Sequence, residues 1–151
     1  MRAYFDAFKP SGYLSEPSGS IGTFIICADT EEEAQRQALS RDLWRLRLDK
    51  GEIGPFPSIE EAERYSYSDE ERARIEYNRN RYIVGAPEQV RDALIRLCEA
   101  YGVDEAVVIT ICNEFGPRLR SYELLAEAFE LTPRSDVNDA ELQSARGQTA
   151  G

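Results

Sequence analysis

The groups best placed for chemistry stand at the end of one apolar run. Glu-Ala-Val-Val-Ile-Thr-Ile-Cys at 105–112 is followed directly by Asn113, which brings Thr110, Cys112 and Asn113 close together. Thr110 and Asn113 can donate or accept hydrogen bonds, and Cys112 carries a thiol. Each also has a plainer role. A cysteine in an apolar strand packs as a small hydrophobe more often than it reacts, and Asn commonly forms the turn at a strand end. Cys27, Cys98 and Cys112 are odd in number and form no C-x-x-C pair. That pattern argues against a disulfide framework or a cysteine-rich zinc site, and for reduced thiols in a cytoplasmic protein.

What is missing is as restrictive. The chain has no histidine, so it cannot itself supply a Ser-His-Asp or Cys-His pair, an H-E-x-x-H zinc site or a histidine general base. Glu31-Glu32-Glu33 and Glu60-Glu61 read as solvated helix starts rather than metal ligands. Gly19-Ser20-Ile21-Gly22 precedes a strand and lacks a third glycine, so it is no dinucleotide fingerprint. Arg72, Arg74, Arg79 and Arg81 could contact an anion, but pairing along a helix with Glu70, Glu71 and Glu76 is the simpler use. The formal net charge of −10 repels phosphate backbones and argues against nucleic acid as a partner. No apolar run is long enough to span a membrane, and no secretory signal opens the chain.

The elements that must position these groups follow from pattern. Residues 2–9 read as the end of a helix, stopped by Pro10, Ser11 and Gly12. Residues 21–28 form a short apolar run rich in β-formers, which predicts a strand buried on both faces. Thr30 with Glu33, Ser58 with Glu61 and Ser68 with Glu71 are capping-box pairs. They predict a helix from 31 to about 48 and shorter ones near 59–66 and 69–80. Residues 81–84 read as a strand. Pro87 then opens a helix whose Val90, Leu94, Leu97 and Tyr101 recur at helical spacing, with Gly102 as its stop. Residues 105–112 are the strongest strand. Leu119, Tyr122, Leu125 and Phe129 line a last helix, and 132–151 reads as a disordered polar tail. Buried strands alternating with amphipathic helices imply an α/β domain with a parallel sheet over 1–131.

Several stretches together resemble a known family. Phe-Lys-Pro-Ser at 8–11, Glu-Pro at 16–17, Ala-Asp-Thr-Glu-Glu-Glu-Ala at 28–34, Tyr-Ile-Val-Gly-Ala-Pro-Glu-Gln-Val at 82–90, Tyr-Gly-Val-Asp-Glu at 101–105 and Arg-Leu-Arg-Ser-Tyr-Glu-Leu-Leu-Ala-Glu at 118–127 occur in order. They are similar to the C-terminal part of luciferase-like flavin-dependent oxidoreductases. Ala86 departs from that pattern, which usually has Thr or Ser between the glycine and the proline. The change affects a helix cap and little else.

The resemblance implies a partial (β/α)₈ TIM barrel, its last three β/α units, with 21–28, 81–84 and 105–112 as strands six, seven and eight. The charged stretch at about 45–80 would be a helical lid-like insertion over the flavin site. The first five units, most flavin-phosphate contacts and the family's usual histidine would lie before Met1. Barrel chemistry sits at the C-terminal ends of strands, so the resemblance directs attention to Cys27, Ala28, Asp29, Val84, Gly85, Thr110, Cys112 and Asn113. Of these, Gly85, Thr110, Cys112 and Asn113 are the expected flavin contacts. The implied activity is monooxygenation of a small organic substrate with reduced FMN, or a related deazaflavin, and O2. The alternative is a truncated, non-catalytic binding or assembly module that self-associates or pairs with a missing barrel half. An unrelated small α/β protein would instead cover both faces of 21–28 and 105–112.

Overall fold

The computed structural model describes residues 1–132; the tail expected from 132 onward lies, past Thr132, outside the described residues. The elements run α1 (Arg2–Ala7), β1 (Ser20–Cys27), α2 (Glu31–Asp49), α3 (Ile59–Arg64), α4 (Asp69–Arg79), β2 (Tyr82–Gly85), α5 (Pro87–Tyr101), β3 (Glu105–Ile109) and α6 (Phe115–Ala128). This is the expected order.

Local signals explain most boundaries. Thr30 Oγ1 accepts from the Glu33 amide at 3.2 Å, and Ser58 Oγ accepts from that of Glu61 at 3.1 Å. Only Ser68 completes the reciprocal box, with Glu71 Oε2 accepting from the Ser68 amide at 2.9 Å. The side chains of Glu33 and Glu61 turn elsewhere, to Gln37 and Arg47. Ala86 has no side-chain oxygen, so half a box remains at α5, where Gln89 Oε1 accepts from the Ala86 amide at 2.9 Å. Gly102 ends α5 at φ +65°, a left-handed position that costs glycine little.

The third strand is shorter than its apolar run. It stops at Ile109 rather than 112 because the Thr110 amide leaves the ladder and donates to Tyr122 Oη at 3.0 Å.

The three parallel strands lie in the order β2-β1-β3. Cys27 pairs with Gly85 on one side of β1, and Phe24 pairs with Ile109 on the other. This order differs from that of three successive barrel strands. In a barrel, successive strands are neighbours, so β2 would lie in the middle, and all helices would cover the outer face. Here the chain steps from β1 to β2 and then back across β1 to β3. With right-handed crossovers, such a reversal sends the connecting helices to opposite faces. The packing agrees. Ile25 and Cys27 pack with Val90 and Leu94 of α5 and Leu124 and Leu125 of α6, while Phe24, Ile26 and Tyr82 pack with Ala38 of α2.

Both faces of β1 are thus covered, as its apolar run requires. The face of β3 that carries Val107 and Ile109 is open, at 52% and 45% exposure. The covered β1 matches the small closed protein, and the open β3 does not.

The charged stretch is bound along α2. Ser40 Oγ donates to the Pro57 carbonyl, Arg47 pairs with Glu61 at 2.7 Å, Lys50 with Glu71 at 3.0 Å and Arg74 with Asp49 at 2.7 Å. Deeper, Arg79 pairs with the buried Asp42, which also accepts from Tyr82 Oη. Two of the four clustered arginines therefore hold α4 to α2.

Candidate functional site

The chain reversal also defines where a ligand can sit. In an open parallel sheet, the connections leaving two adjacent strands toward opposite faces part at the C-terminal edge and leave a crevice there. β1 continues into α2 on one face and β3 into α6 on the other. Between them lies a crevice of about 240 Å³. Its walls include Cys27, Ala28 and Asp29 after β1, Glu33 and Gln37 on α2, and Cys112, Pro117 and Arg120 after β3. A larger apolar groove of about 760 Å³ runs between α5 and α6 beside β3, away from that edge.

One charged pair borders the crevice. Arg120 on α6 donates to Asp29 through Nη2 at 2.7 Å and through Nε at 3.3 Å. Arg120 also reaches Glu123 and Glu127 at 3.5 and 3.4 Å. The hydrogen bond from Arg120 holds the Asp29 carboxyl below its usual range, and the same bond raises the Arg120 guanidinium.

On the opposite wall Gln37 is only 6% exposed. Its Nε2 donates to Glu33 Oε1 at 2.6 Å, and its Oε1 is buried with no partner among the described residues.

Neither thiol at this end is activated. Burial pushes Cys27 up to about 11, reinforced by the Asp29 carboxylate. Burial also pushes Cys112 up to about 11, against a small opposing effect of Arg118. At neutral pH both are thiols, which are poor nucleophiles.

The residues singled out from sequence separate. Cys112 lines the crevice. Thr110 is buried and turned toward α6, where its Oγ1 lies 3.3 Å from Ser121 Oγ. Ser121 Oγ also accepts from the Cys27 amide at 3.0 Å, so this pair of hydroxyls joins β1, β3 and α6. Asn113 is exposed in the turn before α6. Gly85 is buried at the end of β2, and its carbonyl accepts from the Ala28 amide at 3.3 Å. A Cβ at Gly85 would meet Gln89 Oε1 at 2.8 Å, so the glycine leaves room for the residue that caps α5.

Sequence reasoning gave Gln37, Arg120 and Ser121 no role. Arg120 and Ser121 stood inside a family-like motif, whereas nothing in the sequence marked Gln37. Among the described residues, no group of three or more His, Cys, Asp or Glu could hold a metal ion, and no helix is long and apolar enough to cross a membrane.

A parallel sheet with helices on both faces and a crevice at its C-terminal edge defines an α/β architecture with one candidate ligand site at that edge. The comparisons make this more specific. No family model matches the chain. It is 42% identical to YceB of Bacillus subtilis over 128 residues, covering 85% of this chain and 39% of YceB. It is 31% identical to N-acetyl-S-alkylcysteine monooxygenase of B. subtilis, covering 84% of this chain and 37% of that protein. It is 27% identical to a luciferase-like monooxygenase of Escherichia coli, covering 86% and 39%. The crystal structure of apo-MsnO8 superposes with a TM-score of 0.79 at 36% identity, covering 88% of this chain and 41% of that one. The chain is thus similar to luciferase-like monooxygenases, and these similarities support a match to their C-terminal part. It spans about 39% of the length of the curated relatives it matches.

Proposed function

We propose that this chain supplies part of the binding site of a flavin-dependent monooxygenase, one that acts on a small organic substrate with reduced FMN, or a related deazaflavin, and O2. The observation that carries this reading is the crevice at the C-terminal edge of β1 and β3, in a chain whose relatives are named monooxygenases. Further strands of a longer protein would continue the sheet from the open edge of β3.

The residues present fit only part of the cofactor. A crevice of about 240 Å³ falls below the roughly 300–1,000 Å³ of sites that enclose a whole ligand. Its one cation, Arg120, is taken by Asp29. The crevice suits one edge of a ring, while the phosphate needs donors from elsewhere. When bound, the flavin would supply the electrons that activate oxygen. This chain's own share is to shape and dry one wall through Ile26, Ala28, Cys112 and Pro117. Gly85, Thr110 and Asn113, in this reading, act by holding that wall.

The test is titration of reduced FMN and reduced deazaflavin into the chain alone, and into the chain co-expressed with the portion of YceB outside the match. Saturable flavin binding in the combined sample only is the expected result. Absence of binding in both would overturn the flavin assignment, and stoichiometric binding by the chain alone would overturn the partial site.

A second reading, a non-catalytic assembly module, draws support from the open β3 edge, the exposed Val107 and Ile109, and the apolar groove between α5 and α6. Such features favour self-association or pairing with another barrel portion. Sedimentation as a monomer at high concentration would rule it out.

A further inference from the structure

We propose that the solvent-facing side of α5 is a contact between two copies of this chain, with a twofold axis at Ile95 and the two α5 helices antiparallel. The order of residues on that side carries the inference. Arg91, Ile95 and Glu99 follow one another at i, i+4 and i+8, so they share one face of the helix. All three are exposed, Ile95 at 38%. Neither Arg91 nor Glu99 has an ion-pair partner among the described residues. In a twofold contact, a residue that meets a second residue of the partner is met in return by the same pair reversed. An antiparallel pair centred on Ile95 sets Arg91 against the partner's Glu99, and Glu99 against the partner's Arg91. The face is therefore its own electrostatic complement, with the isoleucine at its centre. A parallel pair would set like charges together.

The surroundings agree. The apolar groove of about 760 Å³ runs along the same side of α5, and Ile95, Cys98, Tyr122 and Phe129 are among its walls. Its rim is open to water, with Tyr122 at 40% and Leu131 at 66% exposure. A second α5 laid across Ile95 shelters that rim. Packed helices cross most often at about −50°. This crossing carries each Arg91 toward the partner's Glu99, turns Asp92 away, and parts the helix ends, so that Glu88 stays clear of the partner's Asp104. At a net charge of −10, most approaches of two copies are repulsive, whereas this one joins opposite charges. The proposal rests on the assembly reading and gives it one face and one partner. It does not depend on a flavin.

The experiment is sedimentation of the intact chain over a concentration series at about 0.15 M salt, where charges more than about 8 Å apart are screened. The chain should dimerise. Arg91→Glu and Glu99→Arg should each weaken the dimer on the order of tenfold, because each replaces attractive contacts with repulsive ones at both symmetry-related points. The variant carrying both changes should regain the parental affinity, and a mixture of the two single variants should form the mixed dimer. Both positions are exposed and unpaired, so neither change disturbs the fold. Val107→Lys on β3 should leave the dimer intact. Single losses that the combined variant does not repair would overturn the antiparallel pairing. A dimer indifferent to both charge changes and broken by Val107→Lys would overturn this contact and leave the assembly reading standing through β3. A chain that stays monomeric at about 1 mM would also overturn it. Shielding of Cys98 from alkylation by the co-expressed portion of YceB outside the match would then give the groove to that portion.

Discussion

Arg120 and Asp29 lie 91 residues apart in the chain, yet they form a two-point pair, with Nη2 at 2.7 Å and Nε at 3.3 Å from the two carboxylate oxygens. The pair joins the end of β1 to α6 at the crevice mouth. Because the Arg120 hydrogen bond lowers the folded-state carboxyl below 3.8, its contribution is present above the unfolded value and is lost as pH falls through the folded one. Both side chains are exposed, so salt weakens the effect. In Arg120→Met the Asp29 midpoint should move up toward 3.8, read by carboxyl NMR. An unchanged midpoint would mean the pair does not persist in solution.

Asp42 presents a different balance. It is 4% exposed, accepts from Tyr82 Oη and pairs with Arg79 Nη2 at 2.6 Å. Arg41 covers the Tyr82 ring at 3.8 Å. Removing the carboxylate would leave the buried Arg41 without its nearby counter-charge and Arg79, about a third exposed, without its partner, which costs about 3 kcal/mol once solvent screening of Arg79 is discounted. Asp42→Ala should lose that much in urea unfolding. Tyr82→Phe, which gives up one hydrogen bond to a charged group, should lose about 1.5–3 kcal/mol. A loss below about 1 kcal/mol for Asp42→Ala would show that Arg79 and Arg41 are hydrated rather than held by it.

The thiols offer a third check. With Cys27 and Cys112 both pushed up to about 11 by burial, iodoacetamide should leave them unmodified at neutral pH. Their alkylation should speed up as pH rises toward 11, because the thiolate is the reacting form. Peptide mass spectrometry over a pH series reads this directly. Rapid labelling of Cys112 at neutral pH would restore it as a candidate nucleophile.

Local and long-range information divide cleanly in this chain. Pro87 and Gly102 mark the ends of α5 because a missing amide proton and a left-handed residue are local requirements, and the structure ends the helix there. The strand order was not legible. Periodicity reports that 21–28 is buried on both faces, but it does not say which neighbour pairs where, and the family resemblance pointed to sequential order. The crevice was partly legible. Cys112 and Asp29 could be placed there as strand-end residues. Gln37 could not, because its significance is an unmet buried oxygen, a property of three-dimensional packing. Thr110 looked available from sequence, and it became a joint only when Ser121 arrived from α6.

The open face of β3 leads to the last prediction. Val107 and Ile109 are 52% and 45% exposed, on the face that Phe24 shares by register with Ile109. Among the described residues the outer edge of β3 has no strand partner, since β3 ends the order β2-β1-β3. Apolar side chains beside an unpaired edge favour association, and lysine on an edge strand opposes it. Val107→Lys and Ile109→Lys replace exposed apolar groups with solvated charge, so the fold should lose little, within about 0.5 kcal/mol. If the chain associates through this face, either variant should shift its sedimentation toward the monomer while the melting of the monomer stays nearly constant. If the oligomer survives both lysines, association runs through the groove between α5 and α6 instead, where Ile95, Val108 and Phe129 line the wall.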